Sequence, residues 1–190
     1  MLIRNAMIYD GSGKDGFYGD VRIKDDKICE VGTALRIEAD EAVVDVQGKS
    51  LAPGFIDIHS HNDWFAIRND PLPYFDPFIR QGITTFVGGN CGLSAIGFEN
   101  DSRYIDKMGG GLFSYRDTIG CYGDFASYAQ ATDGAMPCNL ALLVGHCSAR
   151  AAVSGSANRE LTEQEEAQML AIMEKALQQG AAGRVSSESR

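Results

Sequence analysis

Basic charge is in short supply in this 190-residue chain. Seventeen Lys and Arg stand against 26 Asp and Glu, a formal net charge of −9. A nucleic-acid surface needs clustered Lys and Arg, so no nucleic-acid partner is expected. The charges are scattered and say little else. No apolar run is long enough to span a bilayer. The N-terminus, Met1-Leu2-Ile3-Arg4-Asn5, has no sustained apolar segment after its basic residue. A soluble, cytoplasmic protein without a membrane partner is the expectation. Cysteine is limited to five residues, Cys29, Cys91, Cys121, Cys138 and Cys147. The count is odd and no Cys-x-x-Cys pair exists, which argues against a disulfide framework. Free, mostly buried thiols are expected for all but Cys91. There is no internal repeat and no low-complexity segment. Histidine occurs three times, and two of the three are separated by one residue.

What is present supports a core. Hydrophobic residues make up 44% of the chain, ordinary for a globular protein. Residues 1–51 read as a small β unit. Strand-like runs at Leu2-Ile3 and Ala6-Met7-Ile8-Tyr9 are followed by the turn cluster Asp10-Gly11-Ser12-Gly13. Residues 20–24 and 27–31 flank Asp25-Asp26 as a hairpin. Residues 42–46 form a further strand, and Gln47-Gly48-Lys49 turn the chain again. A sheet this small is marginal alone.

From Pro53 the rhythm becomes strand, helix, strand. Residues 55–59 are the first strand, and a short helix over 75–81 starts near Asp76-Pro77. Gly82 caps it, and residues 83–87, β-branched and apolar, are a buried second strand. Residues 93–137 hold many glycines, Gly109-Gly110-Gly111 among them, and read as a covering loop with a short helix capped by Asp124. Residues 139–145 are a third buried strand. Thr162 and Glu165 form a capping box for a helix to Gln179, with Leu170, Met173, Ala176 and Leu177 on one face. A fourth strand follows over 181–186. Alternation of this kind predicts α/β structure with parallel pairing.

Chemistry concentrates at strand ends. The run Leu51-Ala52-Pro53-Gly54-Phe55-Ile56-Asp57-Ile58 leads into His59-Ser60-His61. Side chains two apart on a strand share a face, so both imidazoles are expected to point one way, and neutral imidazole is a common zinc ligand. The alternative is two polar residues where a strand frays. Cys91, in Gly88-Gly89-Asn90-Cys91-Gly92, is read as a third ligand or as a small buried residue in a tight loop. His146 follows the third strand and is a ligand, a substrate hydrogen-bonding group or a structural histidine. Arg150 clamps a substrate carboxylate or sits exposed at a helix start. Asp57 is expected to bond structurally, and Asp63 to support the metal ligands or cap the next segment. Trp64, Phe65 and the tyrosines at 104, 115, 122 and 128 read as packing. His59, His61, Cys91 and His146 would converge on the C-terminal rim of a parallel sheet, where barrels and open sheets place their chemistry.

The run from Leu51 to His61 resembles the first barrel strand of the amidohydrolase superfamily. Residues 82–85 with Gly88-Gly89-Asn90-Cys91-Gly92 resemble more narrowly the N-acyl-D-amino-acid deacylase (D-aminoacylase) family, as does Leu143-Val144-Gly145-His146. The resemblance covers about residues 2–183. It implies an α/β fold, the N-terminal part of a metal-dependent (β/α)8 TIM barrel (residues 52–190) preceded by a small β-sandwich segment (residues 1–51). It implies zinc held by His59, His61 and Cys91, with His146 on the substrate side. It implies hydrolysis of N-acyl-D-amino acids, small molecules, to a carboxylate and a D-amino acid. The family's further histidine ligands and its catalytic aspartate come from later strands, and the catalytic residue of this chain is unknown. The expectation is an incomplete barrel with little activity alone. Two alternatives stand beside it: a cyclic amidohydrolase of the dihydroorotase or hydantoinase type, and a non-enzymatic half-barrel that self-associates as a homo-oligomer.

Overall fold

The alternation that begins at Leu2 is paired in the structure, a computed structural model that describes residues 1–68, 70–98, 122–155 and 157–186. The chain divides into two compact units, Met1–Gly54 and Phe55–Arg190. In the first, β1 (Leu2–Ile8) pairs antiparallel with β2 (Phe17–Lys24), and β2 with β3 (Lys27–Gly32). β4 (Val43–Asp45) and β5 (Ser50–Leu51) lie parallel to successive parts of β1. The two strand-like runs at the N-terminus are one strand with an irregularity. The register moves from Ile3↔Val21 to Ala6↔Gly19, and Asn5 between them has φ 56°. Asn5 N–H donates to the Asp20 carboxylate at 3.0 Å, which holds the bulge.

The core of this unit is small: Ala6, Ile8 and Val21 are buried, with Ile3, Ile23, Val46 and Leu51 packed against them. Arg22 is also buried and is met by the Glu41 carboxylate at 2.9 Å and by Glu30. These partners compensate a charge that burial alone would make costly.

The second unit is a four-stranded parallel sheet in the order β6 (Phe55–Asp57), β7 (Ile83–Gly88), β8 (Asn139–Gly145), β9 (Gly183–Val185). Four helices connect them: α1 (Leu72–Ile79), α2 (Phe125–Thr132), α3 (His146–Ser154) and α4 (Glu163–Gln178). The core holds Trp64, Phe75, Phe86, Ile96, Tyr128, Leu142, Val144, Met169, Met173 and Ala176. Tyr122 and Tyr128 meet edge to face, and Phe65 stacks on Tyr74, so these aromatics pack as expected. Tyr104, Tyr115, Cys121 and the rest of residues 99–121 lie outside the described residues, while the helix expected after Asp124 forms as α2 with Asp124 as its cap. No helix of the described residues is long and apolar enough to cross a membrane.

Several elements differ from expectation. α1 begins at Leu72, with Pro71 at its cap and Pro77 inside it. The helix expected over 75–81 starts a turn earlier, because Pro71 and Pro73 fall where a missing N–H costs nothing. On α4 the capping box forms as expected, yet Met169, not Leu170 or Leu177, joins Met173 and Ala176 in the core. α3 follows β8 without a loop and begins at His146, four residues before the helix start considered for Arg150. Arg150 lies within α3 and donates to the Arg159 carbonyl.

Candidate metal centre

The centre is built where β6 and β7 end. β6 stops at Asp57, two residues short of His59, so strand alternation does not align the histidines. A bend does. The Asp57 carboxylate accepts the His59 N–H at 3.0 Å, and the Ser60 N–H donates to the Val87 carbonyl at 3.1 Å. Ser60 Oγ then accepts the Asn62 N–H, opening a 3-10 turn at Asn62–Phe65. With Ser60 held between them, the two imidazoles approach edge to face, with centroids 5.7 Å apart.

Cys91 comes to them from the loop after β7. Its φ is 56°, between Gly89 at 79° and Gly92 at 76°. A non-glycine residue in the left-handed region persists only where its surroundings over-determine it. Here they do. A Cβ on Gly89 would lie 2.1 Å from the Leu143 carbonyl oxygen, and one on Gly92 would lie 2.8 Å from Cys147 Sγ. The turn is therefore pressed against the end of β8 and the start of α3. The Cys91 Sγ lies 3.4 Å from His59 Nε2. Ligand atoms of His59, His61 and Cys91 all fall within 4.8 Å of one another. His146, the first residue of α3, is not part of that cluster.

Electrostatics favour ligation. Burial, with the neighbouring His59 charge second, pushes the His61 imidazole below its usual 6.5. It is therefore neutral near pH 7, the form that binds a metal. Two imidazole nitrogens and a thiolate are a donor set that suits zinc.

Behind the three side chains is a layer of hydrogen bonds of which sequence reasoning singled out only Asp63. Asn90 Nδ2 donates to the Val87 carbonyl at 2.7 Å and to the Ser60 carbonyl at 3.4 Å. Asp63 is fully buried, neither caps its own turn nor faces solvent, and accepts the Ala95 N–H at 3.0 Å. Burial raises its carboxyl to about 7, partly offset by that bond. Tyr128 O–H donates to the Asp63 backbone carbonyl at 2.7 Å. Ser94 and Ser148, both fully buried, exchange bonds: Ser94 N–H donates to Ser148 Oγ and Ser148 Oγ donates to the Ser94 carbonyl. Ser94 Oγ also accepts the Gly145 N–H at 2.9 Å. Of Asn90, Asp63, Ser94 and Ser148, only Asn90 stands beside a glycine, and the distant partners of all four lie in other segments. The other thiols are more open than expected: Cys29 is exposed, and Cys138 and Cys147 are half-buried.

A family model described as the amidohydrolase family matches residues 42–189. This chain belongs to the amidohydrolase family. It is 36% identical over 186 residues to a D-aminoacylase of Alcaligenes xylosoxydans xylosoxydans, covering 96% of this chain and 36% of that protein. An N-acyl-D-aspartate deacylase of the same organism is 34% identical over 185 residues, with 96% and 35% covered. Among solved structures, a D-aminoacylase crystal structure matches with TM-score 0.78 and 33% identity over 98% of this chain and 38% of that one. An N-acyl-D-glutamate deacylase from Bordetella bronchiseptica, complexed with zinc and a phosphonate mimic of the tetrahedral intermediate, matches with TM-score 0.78 and 30% identity, with 98% and 38% covered. The amidohydrolase chain described here thus spans little more than a third of these relatives. Its fold is α/β, and its parallel sheet corresponds to the N-terminal part of a (β/α)8 barrel.

Proposed function

We propose that this chain contributes the first part of the metal site of a zinc-dependent hydrolase acting on the amide of N-acyl-D-amino acids. The carrying observation is the cluster of His59, His61 and Cys91, with ligand atoms within 4.8 Å, in a chain of the amidohydrolase family. The substrate class is supported by the similarity to a D-aminoacylase and an N-acyl-D-aspartate deacylase. In this reading residues 1–51 are a β-sandwich segment and residues 52–190 the first βα units of the barrel.

His59, His61 and Cys91 would hold the ion, the histidines neutral and the cysteine as thiolate. Bound zinc supplies Lewis-acid polarisation of a carbonyl oxygen and lowers the pKa of a water it holds. His146 is assigned the substrate side, because it stands at the C-terminal end of β8, outside the ligand cluster. Among the described residues no Asp or Glu joins that cluster, so the chain alone is expected to hydrolyse little or nothing.

The test is zinc per chain after purification without added metal, beside hydrolysis of a panel of N-acetyl-D-amino acids and a cyclic amide. Near-stoichiometric zinc that is lost in Cys91→Ser supports the reading. A folded chain without zinc overturns it, and rapid turnover by these residues overturns the expectation of low activity. A second reading concerns the chain by itself: self-association through β6. That edge strand and the residue after it carry Phe55, Ile56 and Ile58 at 62%, 63% and 75% exposure. Such edges promote pairing. A strictly monomeric chain in sedimentation velocity at tens of micromolar would end that reading.

A further inference from the structure

We propose that Asn90 is the positioning residue that sets the Cys91 thiol against the two histidines. The inference rests on the metal reading above and deepens it. Asn90 bonds backbone groups of both ligand segments. From the position next to Cys91 its Nδ2 reaches the Ser60 carbonyl, the residue between His59 and His61. The same nitrogen donates at 2.7 Å to the Val87 carbonyl, which also accepts the Ser60 N–H. Its own carbonyl accepts the Leu93 N–H at 2.9 Å and closes the turn in which Cys91 is strained. One residue thus ties β7, the turn carrying the thiol and the bend carrying the histidines.

The chemistry selects asparagine. Both side-chain targets are carbonyl oxygens, so the group between them must donate twice from one nitrogen. Aspartate has the same shape and presents oxygens to those carbonyls, and serine is too short to reach both. Asn90 is 8% exposed and is not a member of the apolar core cluster. Its hydrogen-bonding partners lie in β7 and the two ligand loops, so its removal would loosen the ligand geometry more than the fold. Groups that orient metal ligands typically carry about 10–100-fold in metal affinity.

The experiment uses the 190-residue chain loaded with Co2+, whose charge-transfer absorption in the near ultraviolet reports a metal–thiolate bond. Wild type is expected to show the band and Cys91→Ser to lack it. Asn90→Asp is expected to lose most of the band and about 10-fold or more in Co2+ affinity. Hydrogen exchange on the metal-free chain provides a second readout. Residues 58–64 and 88–96 should exchange faster in Asn90→Asp, with residues 20–31 unchanged. If Asn90→Asp does not fold, Asn90→Ser, which adds no charge, is judged by the same two readouts. A variant that keeps the band, an affinity within threefold and wild-type exchange overturns the positioning role and leaves the metal reading intact. A wild-type chain without the band overturns the metal reading, and the positioning role with it.

Discussion

At the residue scale, the site depends on side chains that are absent as much as on those present. Gly89 has φ 79°, and its Cβ position is occupied by the Leu143 carbonyl, a backbone atom of β8. Gly89→Ala must therefore strain its own backbone and displace a strand. We expect a loss of about 2–4 kcal/mol in urea denaturation of the metal-free chain. A loss below about 0.5 kcal/mol would show that the loop moves freely and that the close packing behind Cys91 is not structural. The residues of the centre were legible from the chain because His59, His61 and Cys91 carry ligand chemistry at the ends of apolar runs. The geometry that joins them was not. Strand alternation was the wrong reason for the histidine pair, since β6 stops at Asp57 and hydrogen bonds to Asp57 and Val87 make the bend. Asp63 was expected to support the ligands or cap a turn, but its bond to Ala95, like those of Asn90 to Ser60 and Ser94 to Ser148, spans 30 or more positions and has no local signature.

At the scale of elements, local signals were reliable where the interaction is local. The hairpin of β2 and β3 and the cap of α4 both form as their sequences indicate. The α4 cap also makes a pH prediction. A hydrogen bond from Arg159, then one from the Thr162 N–H, lowers the Glu165 carboxyl from 4.5 to about 2. A pKa lowered on folding adds stability that is complete above the unfolded value and vanishes as pH falls through the folded one. Glu165 therefore supports folding above pH 4.5 and loses that effect towards pH 2. Glu165→Gln should flatten the acid limb of the melting curve in that window, without abolishing it, because Lys175 holds the Asp124 carboxyl low as well. An unchanged acid limb would remove the ion pair from the account. Thr162→Ala should cost about 1 kcal/mol at neutral pH, by thermal denaturation. Where packing decides, sequence was a poorer guide. Leu170 and Leu177 share a helical stripe with Met173, yet they are 48% and 40% exposed, because the sheet is met by the neighbouring stripe through Met169.

At the scale of the whole molecule, two units of unequal substance share one chain. The first has four buried apolar residues, Leu2, Ala6, Ile8 and Val21, and a bonded cluster around Arg22. Residues 1–54 produced alone are expected to lack a cooperative thermal transition, since so little apolar surface is removed from water. A sharp melt of that piece, followed by circular dichroism, would show that the Arg22 cluster and backbone pairing suffice. The second unit has the larger core and the candidate ligands. His59 and Cys91 are 32 positions apart, with α1 and β7 between them, yet their side chains lie 3.4 Å from one another. An ion seated on both would close that stretch of chain into a ring. It would bind the folded state and not the unfolded one, so stability would rise with free ion as a mass-action effect, by about 2.7 kcal/mol at a hundredfold excess over Kd. The ion would act as a non-covalent cross-link as well as a reagent. Titration with a chelator should then lower the melting transition of residues 55–186 and leave the exchange protection of the β2–β3 hairpin unmoved.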